Sequence, residues 1–164
     1  CMRYIIYCFL LMILFSCKFN ANIQGKGLDE LQGLWTEDRA AYQDQLLAYT
    51  LHHFKFSCDS FYLTFDHYAR VNRYADHCFN DGHWQEFVKG TYQQKKDTLL
   101  LVGTFTKSNF KQKISGCYRI GQYVRAFFIE KKCDSFLILQ DVSQHMPVSL
   151  RLQQKISCIP KPIN

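Results

Sequence analysis

The 164-residue chain is predicted to be all-β, an antiparallel up-and-down barrel of about eight to nine strands with one short helix. Three observations predict it. Beyond residue 31 the apolar residues come in short aromatic and β-branched runs bounded by polar turns. In the clearest runs, Phe54/Phe56 and Phe61/Leu63/Phe65, they alternate with polar neighbours, as in a strand with one buried face. A turn also recurs three times, as Cys58-Asp59-Ser60-Phe61, Lys96-Asp97-Thr98-Leu99 and Cys133-Asp134-Ser135-Phe136, its aspartates 38 and 37 residues apart. Asp followed by Ser or Thr bonds neighbouring backbone groups and suits a tight turn. Such a spacing also occurs in propellers and solenoids, but three units with little other identity fit a meander better.

In chain order, strands are expected at 34–36, 53–56, 61–65, 89–92, 99–102, 112–120, 126–129, 136–139 and 148–152. The stretch Asp44 to Tyr49 is the one candidate helix. A sandwich would satisfy the same pattern, but closure removes the exposed edges that endanger a chain with 14 Phe and 10 Tyr.

The start of the chain reads differently. Arg3 precedes an apolar run from Tyr4 to Phe15, several residues short of the ~20 that span a bilayer, which is the pattern of a secretory signal peptide. It ends in Leu14-Phe15-Ser16-Cys17, which resembles the lipobox of bacterial lipoproteins. That resemblance implies acylation at Cys17 and attachment to a membrane through an N-terminal lipid. Residues 1–16 are thus expected as leader, 17–31 as flexible tether, 32–158 as barrel and 159–164 as tail. No acidic residue stands close behind Cys17, which favours the periplasmic side of the outer membrane over the cell surface.

An exported chain meets oxidising conditions, so its cysteines should pair. The expected pairs are Cys58 with Cys78 and Cys117 with Cys158, leaving Cys133, although spacing alone does not fix connectivity. Net charge is −3 over 18–89 and +8 over 90–164, so the second half could face an anionic ligand or lipid. Solvated strand faces explain the same lysines. Nucleic acid is an unsuitable partner for an exported chain.

Catalytic and metal signatures are weak. His77, Cys78 and His83, with Cys58, could gather a zinc or copper ion, but no Cys-x-x-Cys or His-Glu-x-x-His spacing supports it. Asp76, Asp81 and Glu86 flank the turn Asn80-Asp81-Gly82, too sparsely for a calcium loop. No cofactor, metal or catalytic residue is therefore expected. For binding, the segment from Thr106 to Tyr123 is the most suggestive. Lys111, Lys113 and Arg119 interleave there with Tyr118 and Tyr123, as a mobile flap over a barrel mouth would for an apolar or anionic amphipathic ligand. An ordinary hairpin pinned by Cys117 is the plainer reading.

Gly33-Leu34-Trp35 resembles the Gly-x-Trp motif that opens the lipocalin barrel, and Gly90-Thr-Tyr92 with Gly103-Thr-Phe105 looks like the hairpin of lipocalin-like bacterial domains. The resemblance implies that Trp35 plugs the closed end and that Arg151 packs across it. Phe54 to Tyr62, Gly103 to Lys107 and Ser115 to Tyr123 resemble a group of small Gram-negative envelope lipoproteins. Proteins of that group sometimes bear the name fumarate hydratase. That activity is not expected, because fumarases are far longer, the Gly-Ser-Ser-x-Met-Pro loop is missing, and an exported oxidised chain ill suits an iron–sulfur cluster. Two functions stay open: a binding or envelope-maintenance module holding a ligand, and a structural lipoprotein with a filled barrel that binds another protein.

Overall fold

A computed structural model describes residues 23–144 and 146–162. The eight strands are β1 (Gly33–Glu37), β2 (Ala48–Ser57), β3 (Ser60–Ala69), β4 (His83–Lys95), β5 (Thr98–Thr106), β6 (Gln122–Lys132), β7 (Phe136–Asp141) and β8 (Pro147–Lys155). Each pairs antiparallel with the next, and β1 with β8, so the barrel closes. Closure leaves no edge strand for another chain to extend.

Eight of the nine expected strands are present. The ninth, 112–120, is loop, joined to the sheet by one bridge between Thr106 and Gln112. Gly116 and Tyr118 hold positive φ within it, and Phe110 and Gly121 on either side, which breaks a strand. The expected helix is displaced as well. Gln43–Gln45 makes one 3-10 turn and the apolar residues after it run into β2, while the α-helix is a single turn, α1 (Asp76–Phe79).

The three Asp-Ser/Thr turns join β2 to β3, β4 to β5 and β6 to β7, all at one end of the barrel. The repeat of 38 and 37 residues is therefore two strands plus one connection at the opposite end. Cys58 and Lys96, just before two of these aspartates, take left-handed backbone (φ 58° and 53°).

That turn end is sealed. Residues 23–31, read as tether, pack across it: Ile23 bridges Pro162, Gln24 Nε2 donates to Ser60 Oγ at 2.6 Å, and Leu31 is fully buried. Gln32 forms the hub. Its amide accepts from the Cys58 N–H at 2.6 Å and donates to the Cys58 carbonyl at 2.8 Å, with the Tyr92 hydroxyl 3.0 Å away. A buried polar network of this kind holds its geometry because an unmade bond would be costly. Gly27 (φ 66°) lets the segment approach, since a Cβ there would lie 1.8 Å from the Cys58 carbonyl oxygen.

Inward-facing side chains fill the barrel. Trp35, Phe54, Phe56, Phe61, Leu99 and Leu150 are all at most 1% exposed. Trp35 is thus a buried anchor, its Nε1–H donating to the Leu31 carbonyl at 2.8 Å. Arg151 does not cross it. It lies between inward-facing Leu150 and Leu152, so it points outward and forms a two-bond pair with Asp38 (2.9 and 3.1 Å). Trp35→Ala is therefore expected to destabilise the protein by roughly 3–5 kcal/mol. Arg151→Ala should leave the thermal midpoint unmoved, and differential scanning fluorimetry of both variants checks the contrast.

The bridges are Cys58–Cys158 and Cys78–Cys117, with Cys133 free and exposed. The expected pairing of Cys58 with Cys78 and of Cys117 with Cys158 is corrected. β3 carries the chain from one end of the barrel to the other, so Cys58 and Cys78 cannot meet. Cys117 and Cys158 are parted in the same way.

Candidate functional site

The end opposite the sealed one is the mouth. Four connections rim it: 38–47, 70–82, 107–121 and 142–146. The third, predicted as a mobile flap, is tied down at four points. Cys117 is bonded to Cys78 on α1, and Tyr118 stacks on Trp84 (centroids 5.5 Å apart). The Tyr118 hydroxyl donates to the Cys78 carbonyl, and Arg119 reaches into the barrel. Phe110 packs edge-on against Tyr62 and Phe87 on the outer wall. The loop is a fixed cover over one side of the mouth.

Beneath the cover lies an ionic cluster. Glu86 Oε2 accepts from Arg119 Nη2 at 2.8 Å and from His67 Nε2 at 2.9 Å, while Oε1 accepts the Arg119 backbone N–H at 2.9 Å. The other nitrogen of His67 meets Thr50 Oγ1 at 2.8 Å. The guanidinium also lies 4.9 Å from the Phe65 ring centroid and 4.7 Å from that of Phe105. Burial opposes the charge on Glu86, but the bonds from His67 and Arg119 outweigh it and hold the carboxyl at about pKa 2.

On the uncovered side, Glu37 Oε2 accepts from His52 twice, from Nδ1 at 2.7 Å and from the backbone N–H at 2.9 Å. A carboxylate only accepts, so His52 Nδ1 carries a proton. Both residues line an open cleft of about 360 Å³ between the start of β2, the 38–47 connection and the start of β8. A second cleft of about 240 Å³, walled by Tyr68, Tyr74 and Trp84, adjoins it across Ala48, Tyr49 and Thr50. The stacked pair Tyr49 and Tyr68 stands between them, with Arg39 above both rings.

The residues singled out for ligand binding are dispersed. Lys111 is exposed, and Lys113 bonds the Cys117 carbonyl within its own loop and lies 5.5 Å from the Tyr118 ring centroid. Tyr118 and Arg119 hold the cover in place. Tyr123 belongs to the core, against Phe61, Phe65 and Phe105, where burial raises its hydroxyl pKa. None of the five lines the cleft at Glu37 and His52. The sequence did not mark that pair, since its residues are 15 apart and carry no motif.

The imagined metal and calcium groupings also come apart. His77, Cys78 and Cys117 do cluster, but both sulfurs are spent in the disulfide, and Cys58 is at the far end. Asp76 accepts from Asn72 at 2.9 Å, while Glu86 is inside the barrel. Cys17 lies outside the described residues. Among the described residues no helix is long and apolar enough to cross a membrane. A scan against protein-family models matched none, and searches of curated proteins and of solved structures returned no match.

Proposed function

We propose that the chain is a lipid-anchored module of the Gram-negative envelope, lipocalin-like in its barrel, that binds a small amphipathic ligand across its mouth and catalyses nothing. The observation that carries this reading is the cleft of about 360 Å³ standing open above a barrel filled by its own side chains. Its volume falls within the usual range for small-molecule sites, and it mixes apolar walls with a few convergent polar groups. Native mass spectrometry of untagged protein from host membranes tests it. A retained small molecule is expected, and Ala48→Phe, which intrudes on both clefts, should abolish the retention. A ligand-free protein with no response to that variant would count against the reading.

A second reading rests on the outer wall. Leu100, Val102, Val124, Ala126 and Phe128 form an uncharged outward patch on β5 and β6, with Val102 paired directly to Val124. Such a patch suits a protein partner, which is how a structural lipoprotein would work. In either case the anchor is expected at Cys17, facing the periplasm from the outer membrane. Cys17→Ala should move the protein from the membrane pellet to the soluble fraction, and a variant that still sedimented with membranes would refute the anchor.

A further inference from the structure

We infer that the cleft at Glu37 and His52 selects a primary ammonium group carried on a short apolar chain; this rests on the reading of the mouth as a binding site. The cleft is short of cations. Glu37 and Asp38 line it, and neither lysine nor arginine does. Asp38 is already compensated by Arg151 at 2.9 Å on the outer side. Glu37 is the deeper of the two, its side chain 10% exposed. Only Oε2 is engaged, by two bonds from His52, and among the described residues nothing donates to Oε1.

His52 fixes the carboxylate in place. Its Nδ1–H and its backbone N–H both go to Oε2, so the carboxylate is held with Oε1 uncommitted among the described residues. The cleft thus holds a carboxylate with one uncommitted oxygen beside neutral side chains such as Tyr42, Thr50 and Ser149, and among the described residues no lysine or arginine lines it. An ammonium presents three N–H donors and a positive charge to that carboxylate, whereas a carboxylate ligand would bring a like charge beside Glu37. Above the floor, Leu46, Met146 and Val148 offer an apolar wall along which a short alkyl chain can lie. An anionic amphiphile, the ligand the basic second half of the sequence suggests, is the wrong charge for this site.

Three probes of equal chain length separate the possibilities: hexylammonium, hexanol and hexanoate, titrated calorimetrically into the full-length protein at neutral pH. Hexylammonium is expected to bind at least tenfold tighter than hexanoate, and Ala48→Phe to remove its binding. Glu37→Gln, close in shape but uncharged, should weaken hexylammonium at least tenfold while leaving hexanol unchanged. His52→Phe keeps a ring, removes the side-chain donor that holds Glu37 and should also weaken the amine selectively, which gives a readout if Glu37→Gln does not fold. Hexanoate binding as tightly as hexylammonium, or amine affinity unmoved in both variants, would overturn the amine assignment while the mouth remained a binding site. If none of the three probes binds, the assignment and the reading beneath it fall together.

Discussion

Replacing Cys58 and Cys158 together by alanine is expected to destabilise the protein by about 4–5 kcal/mol, the loss expected for a bridge spanning 100 residues. The bridge ties the turn between β2 and β3 to the chain leaving β8. It thus holds the sealed end together next to the Gln32 hub, whose partners are the Cys58 backbone N–H and carbonyl. Cys78–Cys117 spans 39 residues, for which the same relation gives about 4 kcal/mol, and it fastens a surface loop to one helical turn. The first pair should therefore be the more damaging loss. Urea unfolding of both double-alanine variants measures the order, and equal or reversed midpoints would show that the sealed end contributes less than argued. A non-reducing peptide map should recover the two observed pairs, with Cys133 alkylated.

The pairing was legible, although the sequence reading did not extract it. In an up-and-down meander successive connections alternate between the two ends. The Asp-Ser turn after Cys58 therefore assigns that cysteine to one end. Cys78, one strand later, and Cys117, two strands beyond that, belong to the other. Arg151 was legible in the same way. Val148, Leu150 and Leu152 alternate, so period two sends Arg151 outward, and only the lipocalin resemblance turned it inward. Gly116 within 112–120 and Gly121 just after it were also signs of loop instead of strand, and in the structure both hold positive φ (107° and 85°).

The site itself was far less accessible. Phe54, Phe56, Phe61, Leu63 and Phe65 gave their inward direction by alternation, which is why eight strands came through. The pairs Glu37–His52 and Glu86–Arg119 are 15 and 33 residues apart in sequence. They meet only because strand register and the fold of the cover loop bring them together. Register across a barrel depends on closure, which no local pattern encodes. In sequence Gln32 is a polar residue just ahead of a strand with no motif around it, and only the packing of 23–31 over the sealed end makes it a hub.

Glu86→Gln is expected to remove about 3 kcal/mol of stability at pH 7 and almost none at pH 2. Glu86 is held at about pKa 2, against an ordinary 4.5, by its bonds from His67 and Arg119 acting against burial. A depressed carboxyl favours the folded state fully above the unfolded value, and the gain drains away as pH falls from about 4.5 to 2. At 1.36 kcal/mol per pKa unit, that shift corresponds to about 3 kcal/mol. The Arg119 side chain is 42% exposed, so the guanidinium released by the substitution can be hydrated, which keeps the loss near the lower end for a broken buried pair. Cys78–Cys117 still holds the cover loop in the variant, so the change should appear as lost stability and not as an opened mouth. Urea midpoints at several pH values between 2 and 7 would show wild type and variant converging towards acid. Some acid sensitivity persists in the variant, because Asp141 is also depressed: burial opposes its charge, but bonds from Ser143 and Gln144 and the nearby Arg125 outweigh that effect. A variant that kept the full wild-type slope between pH 4.5 and 2 would mean that the His67–Glu86–Arg119 cluster does not carry the linkage, and that the cover over the mouth is held by its disulfide and aromatic stack alone.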